Sequence, residues 1–164
     1  MKRPMTRSFA ILLVIAAITA AQTVSAQILP DNKANGRHSR IVGVWDVDVT
    51  ITNCQGVVLT SFRSLVQYNY GGTGQVVPNT GPTIYSPHML IWQHDQDDDY
   101  LTAFKMFRYD ANGQYSGWVV VNNEVSINEE TGEYSGSGVA DFYDAAGVRV
   151  GGSCPSFQGT RFTG

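Results

Sequence analysis

Residues 41–54 read IVGVWDVDVTITNC, and their alternation decides the fold. Trp45, Val47, Val49 and Ile51 fall on one side, while Asp46, Asp48, Thr50 and Thr52 fall on the other. A strict period of two is the pattern of a strand with one face buried and one face wet. The same pattern recurs along the rest of the chain. Phe62, Val66, Tyr68 and Tyr70 align in SFRSLVQYNY (61–70), and TGQVV (73–77) follows a Gly71-Gly72 pair read as a two-residue hairpin turn. Further runs are HMLIWQH (88–94), YLTAFKMFRY (100–109), QYSGWVVVNNEVSI (114–127), EYSGSGVADFY (133–143) and VRVGGSCPSFQGTRF (148–162).

Turn residues separate these runs at roughly ten-residue intervals, and no segment carries a helical period, which is the signature of an all-β sandwich or barrel. In YLTAFKMFRY the aromatic positions change parity near Met106 to Arg108, which predicts a bulge. Tyr115, Val119, Val121, Asn123, Val125 and Ile127 share one face. About eight consecutive strands joined by short turns most simply form an all-β, eight-stranded antiparallel up-and-down barrel, because closure removes both sheet edges.

The N-terminus places Lys2, Arg3 and Arg7 ahead of an apolar run, Phe9 to Ala21, and then Val24-Ser25-Ala26 before Gln27. This reads as a secretory signal peptide over residues 1–26, its apolar run shorter than the roughly 17–25 residues a membrane helix needs. Residues 27–40 are polar, with Pro30 and Gly36, and read as a flexible lead-in to a barrel domain over 41–164. Cleavage removes three of the 11 basic residues and none of the 14 acidic ones, leaving eight against 14 and a net charge of −6. An acidic chain without a basic stripe is a poor partner for nucleic acid or anionic lipid. The expected location is secreted or periplasmic, with no membrane association after signal cleavage. Composition leaves the oligomeric state open.

Both cysteines, Cys54 and Cys154, lie beyond the signal, where an even count in an oxidising compartment favours a disulfide. If they face each other across the first and last strands, those strands close the barrel. Val47 then falls opposite Arg161, one diagonal step from Trp45.

Gly43-Val44-Trp45 at the start of the first strand, with Arg161 near the end of the last, resembles the lipocalin-type (calycin) barrel. The chain is also similar to small secreted bacterial β-proteins carrying an N-C-Q segment after a G-x-W strand, here Asn53-Cys54-Gln55. The lipocalin resemblance implies that Gly43, Trp45 and Arg161 are structural and close one end, the arginine covering the tryptophan. The opposite rim, with Cys54-Gln55-Gly56, the proline-bearing loop 78–87, Asn112-Gly113 and Ala145-Ala146-Gly147, is then the open one.

The stretch HDQDDDY (94–100) lies on the closed rim. Asp95, Asp97 and Asp99 match the opening of a calcium loop, but Tyr100 stands where glycine is required and Met106 where the bidentate glutamate belongs. No metal ligand set is assigned. His88 and His94 sit roughly 20 Å apart along one strand and cannot share an ion. No G-x-S-x-G segment, phosphate-binding loop or inward carboxylate pair is present in the pattern, so no catalytic residue and no cofactor is assigned.

The remaining constellation is the interior. Phe62, Tyr68, His88, Trp92, Phe104, Met106, Tyr115, Val119, Val121, Asn123 and Phe157 are expected to point inward near Gly136 and Gly138, an apolar cup with polar tips suited to a small apolar ligand. A barrel of eight strands is also narrow enough for its own side chains to fill, so hollow and filled interiors both fit the pattern. Two other functions follow from barrels of this kind. One is a protein-binding module, such as a periplasmic protease inhibitor acting through residues 27–40. The other is an isomerase resembling allene oxide cyclase.

Overall fold

The computed structural model describes residues 40–80, 85–128 and 130–163. The expected signal peptide, residues 1–26, and all of the expected lead-in except Arg40 lie outside these residues.

Eight strands run in chain order: β1 (Gly43–Thr52), β2 (Val58–Asn69), β3 (Thr73–Pro78), β4 (His88–His94), β5 (Asp99–Tyr109), β6 (Tyr115–Ile127), β7 (Tyr134–Asp144) and β8 (Arg149–Arg161). Each pairs antiparallel with its neighbour, and β1 pairs with β8 to close the barrel. The alternation of β1 is realised as read, with Trp45 and Val47 about 1% exposed while Asp46 and Asp48 face outward toward Arg63.

Large aromatics fill the end where β1 begins. Trp45, Tyr68, Trp92, Tyr100 and Tyr134 form one buried cluster with Ile41, Val125 and Ile127. The polar atoms of Trp45, Tyr68, Trp92 and Tyr134 have hydrogen-bond partners, as burial requires. The Trp45 indole N–H donates to Ile41 O at 2.7 Å, that of Trp92 to Asn69 O and Thr73 O at 3.0 and 3.2 Å, and the Tyr68 and Tyr134 hydroxyls meet at 2.7 Å. Burial holds both phenols neutral, raising each above its ordinary value; the neighbouring Tyr134 adds to the rise at Tyr68.

The seam between β1 and β8 runs from Trp45 opposite Arg161 to Thr52 opposite Cys154. The disulfide forms, with Cα atoms 4.9 Å apart, but the register differs from the sequence reading by two residues. Cys54 does not lie in the strand. The Asn53 side chain accepts from the backbone N–H groups of Gln55 and Val57, and Cys54 turns back with φ of 65°. The tight turn therefore carries Cys54 back toward Cys154, and Arg161 comes directly opposite Trp45 rather than diagonal to it. Its guanidinium lies 4.5 Å from the indole centroid and donates to Val42 O at 2.7 Å and to Arg40 O. Gly43 takes φ of 134°, and a Cβ there would collide with Nη1 of Arg161. The G-x-W glycine thus makes room for the arginine that covers the tryptophan.

Two local expectations are corrected. The turn between β2 and β3 has three residues, Tyr70-Gly71-Gly72, because Asn69 pairs with Thr73 and both glycines take positive φ. Tyr70 therefore sits on the turn, exposed, rather than on the inner face. The bulge near the end of β5 is present, but its extra residue is Ser116 of β6, between pairs Arg108–Gly117 and Tyr109–Tyr115. Beyond it the parity of β6 inverts, and Tyr115 packs outside the barrel against Phe107 and Tyr109.

Candidate functional site

Away from the aromatic plug, three strands bring smaller groups to the inner face. β1 contributes Val47, Val49 and Ile51, β7 contributes Gly138 and Ala140, and β8 contributes Gly151, Ser153 and Pro155. These side chains do not reach across the barrel, and they leave a cavity of about 410 Å³ in this half. That volume falls within the range of small-molecule sites, roughly 300–1,000 Å³.

Of the side chains expected to line it, Phe62, Tyr68, His88, Phe104, Met106, Val119, Val121, Asn123 and Phe157 do so. Trp92 does not. It lies beneath the cavity floor, edge-on to Tyr68 at 6.3 Å, as part of the plug. Tyr115 is excluded from the lining by the bulge. The space beside Gly136 and Gly138 is already occupied, since a Cβ at either would collide with Phe157 or with Asn123 Oδ1 respectively. These glycines admit their neighbours' side chains rather than a guest.

Several lining residues were not singled out from sequence, among them Ser64, Val66, Leu90, Tyr134, Ser153 and Pro155. All fall on inward parities of their strands. Alternation alone could have found them, and a choice weighted toward aromatic residues passes over small inward groups such as Ser64 and Ser153.

The mouth is asymmetric. β3 ends at Pro78, opposite Ser64, so the outer part of β2 pairs with β1 but runs beyond the end of β3. Leu59 and Thr60 at this edge line the cavity, and Leu59 is 59% exposed. The proline-bearing connection returns over β5, where Ser86 N–H donates to Phe107 O at 3.0 Å and Phe107 N–H to Ser86 Oγ at 2.9 Å. Thr80 and Tyr85 at its two described ends also line the cavity. Arg108 stands at this rim, its guanidinium 5.6 Å from the Phe142 centroid.

His88 is the histidine of the wall. Its ring lies parallel to Phe104, 5.6 Å between centroids, with Tyr85 edge-on at 6.4 Å. Loss of water around the ring lowers its pKa from 6.5 to about 4, so it is a neutral imidazole at physiological pH. Neither ring nitrogen has a hydrogen-bond partner, and the same holds for Ser64 Oγ and Asn123 Oδ1. The amide nitrogen of Asn123 donates to Thr102 Oγ1 at 3.3 Å.

At the closed rim the acidic turn is tied to several separate partners. Arg40 meets Asp98 at 3.4 Å, Ser126 donates to Asp99, and His94 Nε2 bonds Asp97 O at 2.6 Å. Among the described residues no three His, Cys, Asp or Glu side chains converge as a metal site.

No protein-family model, curated protein or solved structure matches this chain. The functional reading therefore rests on the cavity.

Proposed function

We propose that this chain is a secreted or periplasmic lipocalin-like barrel that binds a small, largely apolar molecule in the cavity of its open half. The observation that carries the reading is the contrast between the two ends. A cluster of large aromatic side chains packs one end, whereas the other encloses about 410 Å³ behind a predominantly apolar wall. An apolar guest of matching size gains by leaving water, at about 25 cal/mol per Å² of apolar surface buried. The signal-like N-terminus and the bridged Cys54–Cys154 pair both favour an oxidising compartment.

The test is uptake of a neutral apolar fluorophore, N-phenyl-1-naphthylamine, by the purified oxidised protein. Saturable, one-to-one fluorescence enhancement is expected, with the complex visible by native mass spectrometry. Ala140→Phe, which places a ring in the cavity, should weaken uptake at least tenfold while the barrel still unfolds cooperatively. No saturable uptake by the unmodified protein would overturn the reading.

A further inference from the structure

Among the described residues, the buried side-chain polar atoms without a hydrogen-bond partner belong to Ser64, His88 and Asn123. All three residues line the cavity, and none is more than 8% exposed. They come from three different strands, β2, β4 and β6. A buried polar atom without a partner is costly, and such atoms are normally rare. All of them belong to residues that line the one cavity, from strands on different sides of the barrel, and they mark where partners are to be supplied.

Resting on the cavity-binding reading above, we propose that the guest is an uncharged apolar molecule bearing a hydroxyl group, rather than a hydrocarbon or a fatty-acid carboxylate. The hydrogen-bonding inventory of the wall sets this preference. A neutral imidazole offers one donor and one acceptor, the Ser64 hydroxyl can act as either, and Asn123 Oδ1 only accepts. A hydroxyl, which both donates and accepts, can answer whichever of these positions it meets. A hydrocarbon leaves every one of these atoms unpaired. A carboxylate only accepts, so it cannot satisfy Asn123 Oδ1 or the bare imidazole nitrogen. It would also lose its hydration without a counter-charge, since no Lys, Arg, Asp or Glu is among the described residues lining the cavity.

The experiment displaces N-phenyl-1-naphthylamine from the full oxidised protein with three probes of equal chain length: dodecan-1-ol, dodecyl methyl ether and dodecanoate. The ether lacks only the donor, and the acid carries the charge. Dodecan-1-ol is expected to displace the fluorophore at roughly tenfold lower concentration than either of the others. Ser64→Ala and His88→Phe should each shrink that advantage, read within each variant as the ratio of alcohol to ether displacement so that a change in fluorophore affinity cancels.

Equal displacement by alcohol and ether, or an alcohol advantage unchanged in both variants, overturns the proposal and leaves general apolar binding intact. Tighter binding of dodecanoate also overturns it and moves the polar end of the guest to Arg108 at the rim. Failure of the fluorophore itself to bind removes this proposal together with the reading beneath it.

Discussion

Arg161 lies directly across the β1–β8 seam from Trp45, its guanidinium 4.5 Å from the indole centroid and its two terminal nitrogens donating to Val42 O and Arg40 O. One side chain thus shields the ring and fixes the chain entering β1. Arg161→Ala should reduce unfolding free energy by about 1–2 kcal/mol, combining the cation–π contact with two charge-assisted hydrogen bonds. Arg161→Lys should recover less than half of the loss, because an ammonium cannot both stack flat and bridge two carbonyls. Urea unfolding of the three proteins measures the difference. An unchanged midpoint for the alanine variant would remove the closing role of this arginine.

The disulfide joins residues separated by 100 positions and lies at the other end of the same seam. Reduction, or Cys54→Ser with Cys154→Ser, should lower stability by roughly 2–5 kcal/mol through the freedom gained by the unfolded chain. Denaturant unfolding with and without reductant provides the measurement.

His88 gives a signed pH effect. Above pH 6.5 the imidazole is neutral in both folded and unfolded chains and contributes no pH dependence. Below 6.5 the unfolded chain takes up a proton first, because the folded value is about 4. Stability is therefore lost as pH falls from 6.5 toward 4, by on the order of 2 kcal/mol. Comparing unfolding of the unmodified protein and His88→Phe at pH 7 and pH 4.5 isolates the contribution. The variant should show the smaller acid loss, and parallel curves would refute the assignment.

The Tyr68–Tyr134 hydroxyl pair makes a coupled prediction. Removing either hydroxyl leaves the other buried with its bond broken, so Tyr68→Phe and Tyr134→Phe should each cost about 1–2 kcal/mol. The double variant should cost clearly less than the two added together. Additive losses would mean that the 2.7 Å contact contributes nothing to stability.

The barrel was legible because alternation survives in β1, β2, β4 and β6, and the cysteine pair correctly joined first strand to last. Register was not, since sequence cannot show that Cys54 leaves the strand through the turn set by the Asn53 side chain. Tyr115 was misplaced because the extra residue of a bulge inverts parity, and the parity change visible in β5 does not say which strand carries that residue. Whether the interior is hollow depends on how far inward side chains reach. The gradient from Trp45 and Trp92 at one end to Ala140, Gly151 and Ser153 at the other was readable, but only once strand depth was known.

The covalent link between Cys54 and Cys154 also has a mechanical meaning. It encloses β2 to β7 within a single loop, leaving all of β1 and part of β8 outside. Tension applied to the two chain ends can peel away those outer segments and then meets the S–S bond. At roughly 3.4 Å per residue, about 340 Å of contour is withheld from extension until the bond is reduced. A single-molecule pulling trace should lengthen by that amount on adding a thiol, because the interior six strands never bear the load in the oxidised protein.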